Sequence, residues 1–235
     1  MLAQKLDSMV KSLRGGCMRK YDILLFDLDG TLTEPREGIT KAVQYALKCA
    51  GIVENNLNKL EAFIGPPLIE GFMQLYGFTE EEALEARSKY REYYTAKGAL
   101  ENEVYEGMED LLKNVEKLGK TMLVATSKPL YYANIILEHF GIAKYFKGIF
   151  GAEMNEIDHK KSDVIKRAIE FIGDKELTKY LMIGDRKHDV IGAKTLGIDS
   201  IAVLYGYGSK EEFEEYKPNY IVSTVSELEK FLLAH

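Results

Sequence analysis

Ile23-Leu24-Leu25-Phe26-Asp27-Leu28-Asp29-Gly30-Thr31 runs from a short apolar block straight into acids and a turn. A block of that size, apolar at every position, is the pattern of a strand buried on both faces of a parallel sheet, and Asp-Gly is a turn dipeptide. The form recurs downstream. Thr121 to Ala125 leads into Thr126-Ser127-Lys128-Pro129, Tyr180 to Ile183 into Gly184-Asp185, and Ile201 to Leu204 into Tyr205-Gly206-Tyr207-Gly208. Helix-period segments separate these runs: Met108 to Leu118, Leu130 to Phe140, Ser162 to Phe171 and Val190 to Leu196. Alternation of strand and helix predicts right-handed crossovers and an α/β, Rossmann-like parallel sheet covered by helices on both faces. Ligands bind such sheets outside the carboxyl ends of the strands, where these polar residues collect.

Residues 37–104 break the alternation. They hold no convincing strand and instead predict helices over Gly38 to Cys49, Leu68 to Tyr76 and Thr79 to Lys97. Thr79 and Glu82 have capping-box spacing, while Gly65-Pro66-Pro67 interrupts the segment, because proline lacks the N–H a helix needs. The expected organisation is a small α-helical domain at 37–104 inserted into a core of 21–36 and 105–235. Tyr220 to Val222 reads as an edge strand, followed by a helix that Ser226 and Glu229 open and Leu233 closes. Residues 1–20 form a basic amphipathic extension, with Leu2, Leu6, Met9, Val10 and Leu13 at helical spacing. Charged residues interrupt every apolar run in it, so it does not read as a signal peptide, and a packed helix or sequence upstream of a start at Met18 is favoured over a membrane-surface or partner-docking helix.

Of the 235 residues, 46% are hydrophobic and 29% charged, proportions that support a buried core and exclude general disorder. The net charge of -6 gives no overall attraction to phosphate backbones or anionic lipid, so neither nucleic acid nor a membrane is the expected partner. Apolar runs fall well short of the roughly 20 residues that span a bilayer. Cys17 and Cys49 make neither a disulfide framework nor a paired metal motif, which fits a reducing, cytoplasmic setting.

Taken alone, Asp27-Leu28-Asp29-Gly30-Thr31 is better explained by a strand-end turn than by function. A second acidic pair, Asp185 and Asp189, also follows a buried strand and changes the balance. Four carboxylates aimed into one crevice repel and lose their charge unless a cation neutralises them. An all-oxygen donor set without Cys or an obvious His suits a hard ion, above all Mg²⁺. The other strand ends supply what an anionic substrate needs. Thr126 offers a hydroxyl, and the helix beginning near Pro129 presents free N–H groups. Lys160 and Lys161 sit at the start of another helix, where positive charge opposes the dipole.

These residues resemble the haloacid dehalogenase superfamily of aspartate-nucleophile phosphohydrolases. Its four motifs are matched in order by Asp27-Leu28-Asp29-Gly30-Thr31, by Thr126, by Lys161 and by Gly184-Asp185-Arg186-Lys187-His188-Asp189. The helical insert resembles the C1 cap of the phosphoglycolate phosphatase-like subgroup. The resemblance implies an Mg²⁺-dependent phosphatase acting on a small phosphate monoester through an aspartyl-phosphate. It implies Asp27 as nucleophile and Asp29 as general acid and base. Thr126, Ser127 and Lys161 would bind phosphate, with the register between Lys160 and Lys161 open by one residue. The resemblance also implies that Asp27, Asp29 through its carbonyl, Asp185 and Asp189 hold the metal. Phe63-Ile64-Gly65-Pro66 looks like the cap loop that faces the active site, though a plain helix–loop–helix junction explains it equally.

The alternatives are a phosphomutase of the same superfamily and a phosphate-binding regulatory protein without turnover. Tyr76, Tyr93 and Tyr94 read more naturally as cap core than as substrate contacts. Gly206-x-Gly208 lacks the third glycine of a dinucleotide site, since position 211 is Glu211. His139 and His159 stand alone, without a partner at ligand spacing.

Overall fold

A computed structural model of the chain describes residues 21–154 and 160–235. The basic segment expected before residue 21, Cys17 and His159 lie outside them. In chain order the elements are β1 (Ile23–Phe26), β2 (Thr33–Glu34), α1 (Arg36–Cys49), α2 (Leu57–Leu60), α3 (Leu68–Tyr76), α4 (Glu80–Tyr93), β3 (Glu103–Val104) and α5 (Met108–Lys117). They continue with β4 (Thr121–Pro129), α6 (Leu130–His139), β5 (Gly148–Ala152), α7 (Lys161–Ile172), β6 (Tyr180–Gly184), α8 (Lys187–Leu196), β7 (Asp199–Val203), α9 (Lys210–Tyr216), β8 (Tyr220–Val222) and α10 (Val225–Ala234).

Six strands form one sheet in the order β5-β4-β1-β6-β7-β8, and every neighbouring pair is parallel. β1 lies in its interior, with Phe26 in register with Val124 on one side and Ile183 on the other. Strand side chains alternate between faces, so successive residues of β1 enter different cores. Leu24 and Phe26 pack with Leu111, Leu112, Ile136 and Leu228, whereas Ile23 and Leu25 pack with Val164, Ile165, Ala168 and Ala193. Helices therefore cover both faces, and the apolar block of β1 is continuous because neither face meets water. This is the α/β fold expected.

Several elements depart from expectation. β4 continues through Thr126 to Pro129 instead of stopping at Ala125, with an irregular register against β5. β5 itself was not predicted. Gly148 and Gly151 weaken its signal, and as an edge strand it is only partly buried. β7 covers Asp199–Val203, two residues earlier at its start than its apolar run suggested. The last helix is capped by Thr224 and begins at Val225, not at Ser226, because the Thr224 hydroxyl accepts from Glu227 N.

The segment between β2 and β3 is helical as predicted, with one short strand at its exit. β3 pairs antiparallel with β2, so the two connections to the core run side by side as a small ribbon. α4 opens with the predicted capping box, in which Thr79 Oγ1 accepts from Glu82 N and the Glu82 carboxylate accepts from Thr79 N. The helix stops at Tyr93 and passes into a π-helical turn, Tyr94–Gly98. Phe63, Phe72, Tyr76 and Phe78 form its aromatic core. Among the described residues no helix is long and apolar enough to cross a membrane.

Candidate active site

The carboxyl ends of β1, β4 and β6 open into a cavity of about 920 Å³, roofed by the helical segment. Asp27, Asp29, Thr126, Ser127, Lys161, Asp185 and Asp189 all line it, as do Phe63, Ile64, Gly65 and Pro66. The residues assigned to phosphate, metal and cap loop from the sequence thus reach the same space, whereas Tyr76 and Tyr93 do not line it.

Backbone hydrogen bonds place the two acids of β1. Asp27 N donates to Ile183 O at 2.9 Å and extends the ladder by one residue, after which Thr31, Leu32 and Thr33 N–H groups all turn back onto Leu28 O. That turn presents Asp27 and Asp29 to the cavity. Gly30 is required within it. Its φ is +78°, and a β-carbon there would lie 2.1 Å from Asp185 Oδ2. Gly206 has a matching constraint, since its β-carbon would meet Gly30 O at 2.2 Å. The glycines of Tyr205-Gly206-Tyr207-Gly208 therefore admit the β1 turn and Asp185 rather than a dinucleotide. Tyr207 N donates to Asp185 Oδ2 at 2.9 Å.

Asp27, Asp185 and Asp189 each offer an oxygen within 4.8 Å of the others. Lys161, at the first position of α7, places Nζ 2.8 Å from Asp27 Oδ1 and 2.7 Å from Asp189 Oδ1. Lys160 is exposed at the mouth of the cavity, whereas Lys161 is buried against the carboxylates. One ammonium does not balance three buried carboxylates. Burial first, then the charges of Asp189 and Asp27, raise the Asp185 carboxyl well above the usual range. Asp189 is also raised by burial, with Lys161 working against the shift. A carboxylate cluster with one lysine and only oxygen donors fits a hard divalent cation.

Asp29 stands apart from this triad. Its Oδ2 accepts from Lys128 Nζ, and its Oδ1 is buried without a hydrogen-bond partner. Burial raises its carboxyl, and the Lys128 charge acts in the opposite direction. Lys128 was missed in the sequence. It sits two residues past Thr126, whose Oγ1 accepts from Lys128 N at 3.2 Å, and its Nζ lies 5.0 Å above the Tyr94 ring from the helical segment. The signal was present as a lysine within the polar run at the end of β4. Only the extension of that strand through Pro129 turns it inward.

A second lysine-free link joins the helical segment to the core. Arg186 Nη1 donates to Ile64 O at 2.8 Å, while Nε and Nη2 donate to Glu212 at 3.3 and 3.4 Å. The backbone of the Phe63–Pro66 loop therefore faces the site. The Phe63 ring itself packs into the aromatic core against Phe72, at a centroid distance of 4.9 Å. His139 stacks edge-on with Phe140 at the end of α6, away from this cavity.

Residues 24–203 match the family model of the haloacid dehalogenase-like hydrolases. The chain belongs to this family. A 5′-nucleotidase of Pseudomonas aeruginosa is 44% identical over 92% of this chain and 97% of its own length. A Mycobacterium tuberculosis protein named tyrosine-protein kinase PtkA is 34% identical over 89% of this chain and 72% of its own. A predicted phosphatase from Clostridium acetobutylicum superposes with a TM-score of 0.87 at 46% identity, covering 92% of this chain and 100% of that one. The carboxylates gathered after β1 and β6 lie inside the matched region.

Proposed function

We propose that this haloacid dehalogenase-like hydrolase is an Mg²⁺-dependent phosphatase of small phosphate monoesters, working through an aspartyl-phosphate on Asp27. The observation that carries the reading is the pairing of Asp27 and Asp29 across one turn, with Lys161 bridging Asp27 to Asp189. Asp27, Asp185 and Asp189, with the Asp29 carbonyl, would hold Mg²⁺, which when bound supplies positive charge against the carboxylates and the phosphoryl oxygens.

Lys161 and the Thr126 hydroxyl bind the phosphoryl oxygens, with Ser127 beside them, and offset charge in the in-line displacement. A carboxylate oxygen of Asp27 forms the bond to phosphorus as the ester P–O bond breaks. Asp29 in its protonated form, which burial favours and the Lys128 charge opposes, gives its proton to the departing alkoxide. Water then attacks phosphorus, Asp29 takes a proton from it, and the Asp27–phosphorus bond breaks to release inorganic phosphate. Segment 37–104 serves as a cap that closes the cavity and selects the leaving group. A free, exposed Cys49 accords with a cytoplasmic enzyme.

One relative is named a tyrosine-protein kinase, so the test measures free phosphate. Phosphate release from 5′-nucleotides, phosphoglycolate, hexose phosphates and p-nitrophenyl phosphate is expected to need Mg²⁺, to stop with EDTA, and to fall at least about 10⁴-fold in Asp27→Asn. Undiminished release by folded Asp27→Asn defeats the mechanism. Retention of phosphate on a bisphosphate product identifies a mutase instead.

A further inference from the structure

The cap wall of the cavity carries charge that the proposed chemistry does not use. α4 and the turn after it place Arg87, Tyr90, Arg91 and Tyr94 on that wall, at positions i, i+3, i+4 and i+7 of one helix face. Arg91 Nη2 donates to Met154 O, a neutral acceptor, and Arg91 makes no ion pair with any of the described residues on this wall. Arg87 makes no ion pair or hydrogen bond among the described residues, although it is partly buried. Like charges at i and i+4 oppose helix stability. Burial first, and the Arg91 charge second, depress the Arg87 guanidinium below its ordinary value. The acids on the same wall have another reason to be there. Glu70 and Glu80 sit in the first turns of α3 and α4, where negative charge complements the helix dipole.

Tyr94 provides an independent observation. Only 1% of it is exposed, and its hydroxyl has no hydrogen-bond partner. Its ring stacks on Tyr90 at 5.2 Å and lies under Lys128, so this end of the stripe is fixed beside Asp29. The arginines then run outward along the helix axis, Arg91 by about 4.5 Å and Arg87 by about 10 Å.

We infer that Arg87 and Arg91 bind an anionic group on the leaving-group side of the substrate, with the Tyr94 hydroxyl as a further donor. The preferred ester accordingly carries a second carboxylate or phosphate one to two helical turns from the phosphoryl group that is transferred. The inference rests on the phosphatase reading given above.

The test compares matched pairs by kcat/KM for phosphate release: glycerol 3-phosphate against 3-phosphoglycerate, and fructose 6-phosphate against fructose 1,6-bisphosphate. The first pair reads a carboxylate and the second a phosphate. In at least one pair the doubly anionic ester is expected to lead by about tenfold or more, and the lead to vanish in the double variant Arg87→Met, Arg91→Met. Arg87→Lys, Arg91→Lys should restore part of it, and urea midpoints report folding of each variant. Equal rates within both pairs for the native chain overturn the inference while leaving the phosphatase intact, as does a lead that survives in the methionine variant. Release from no probe, p-nitrophenyl phosphate included, removes the phosphatase reading. The arginines are then read by calorimetry with fructose 1,6-bisphosphate and fructose 6-phosphate, where a bisphosphate advantage under about threefold overturns the site and a larger one lost in the methionine variant supports it.

Discussion

The floor and the roof of the cavity are built on different terms. On the floor, Asp27 and Asp185 follow strands of a hydrogen-bonded parallel ladder, Lys161 and Asp189 sit in the first turns of α7 and α8, and the four are held by one another, by Tyr207 N and by Arg186 N. On the roof, Arg87, Arg91 and Tyr94 are carried by a helix whose stability comes from its own capping box and an aromatic core. They face the cavity with few partners of their own. The floor charges are coupled to the fold; the roof charges are coupled to what enters. On the proposed reading, chemistry common to many esters is fixed in the sheet, and selection is left to side chains that can be exchanged without disturbing it.

The comparison breaks if Asp29, a floor residue, behaves like a roof residue. Asp29→Asn is expected to lower kcat about 10²- to 10⁴-fold on every ester, with neutral and anionic leaving groups affected alike, because it removes the acid and base of both steps. Rapid quenching and intact-mass measurement should show phosphorylated protein accumulating. A loss confined to one class of leaving group contradicts a general acid role.

Lys128 sharpens the distinction, since it touches both regions. It is buried, pairs with Asp29 and lies over Tyr94. Lys128→Met leaves a buried carboxylate without its cation, and removal of one partner of a buried pair costs about 3 kcal/mol. Arg87→Met removes a partly buried charge that has no partner among the described residues and should cost under about 1 kcal/mol. Urea midpoints for the two variants check the contrast, and equal destabilisation erases the proposed division.

Much of the floor was legible in the sequence, and little of the roof. Apolar blocks that end in Asp or Thr report strand and ligand together, because a parallel strand delivers its next residue to the crevice. The order of Asp27, Thr126, Lys161 and Asp185 along the chain therefore carried the site. Lys128 escaped because the expected strand stopped at Ala125, and a lysine beyond a strand end has no inward direction until the strand is seen to continue. β5 escaped because its glycines and edge position remove the apolar block. On the roof, Tyr76, Tyr93 and Tyr94 look like ordinary core, and Tyr94 is indeed buried while Tyr76 and Tyr93 are only partly so. No local pattern marks the hydroxyl of Tyr94 as unpaired or the arginines as facing a cavity, since both depend on the cap being folded over strand ends from elsewhere in the chain.

The smallest effect isolates the scaffold of the roof from its function. Thr79 caps α4, and Thr79→Ala should lower stability by about 1 kcal/mol. The partner in the box, Glu82, has its carboxyl held below the ordinary range by the Thr79 N–H and then by the Thr79 hydroxyl. A carboxyl depressed on folding contributes above its unfolded value, about 4.3, and loses that contribution as pH falls through the lower folded value. The gap between native and Thr79→Ala melting temperatures is therefore expected at neutral pH and should narrow in acid. Because the cap lies at the far end of the helix from Tyr94, kcat/KM on each ester should hold at neutral pH and moderate temperature. A change in the preference between neutral and anionic leaving groups upon Thr79→Ala would show that selection depends on how firmly the whole helix is held, and the roof would then be no less coupled to the fold than the floor.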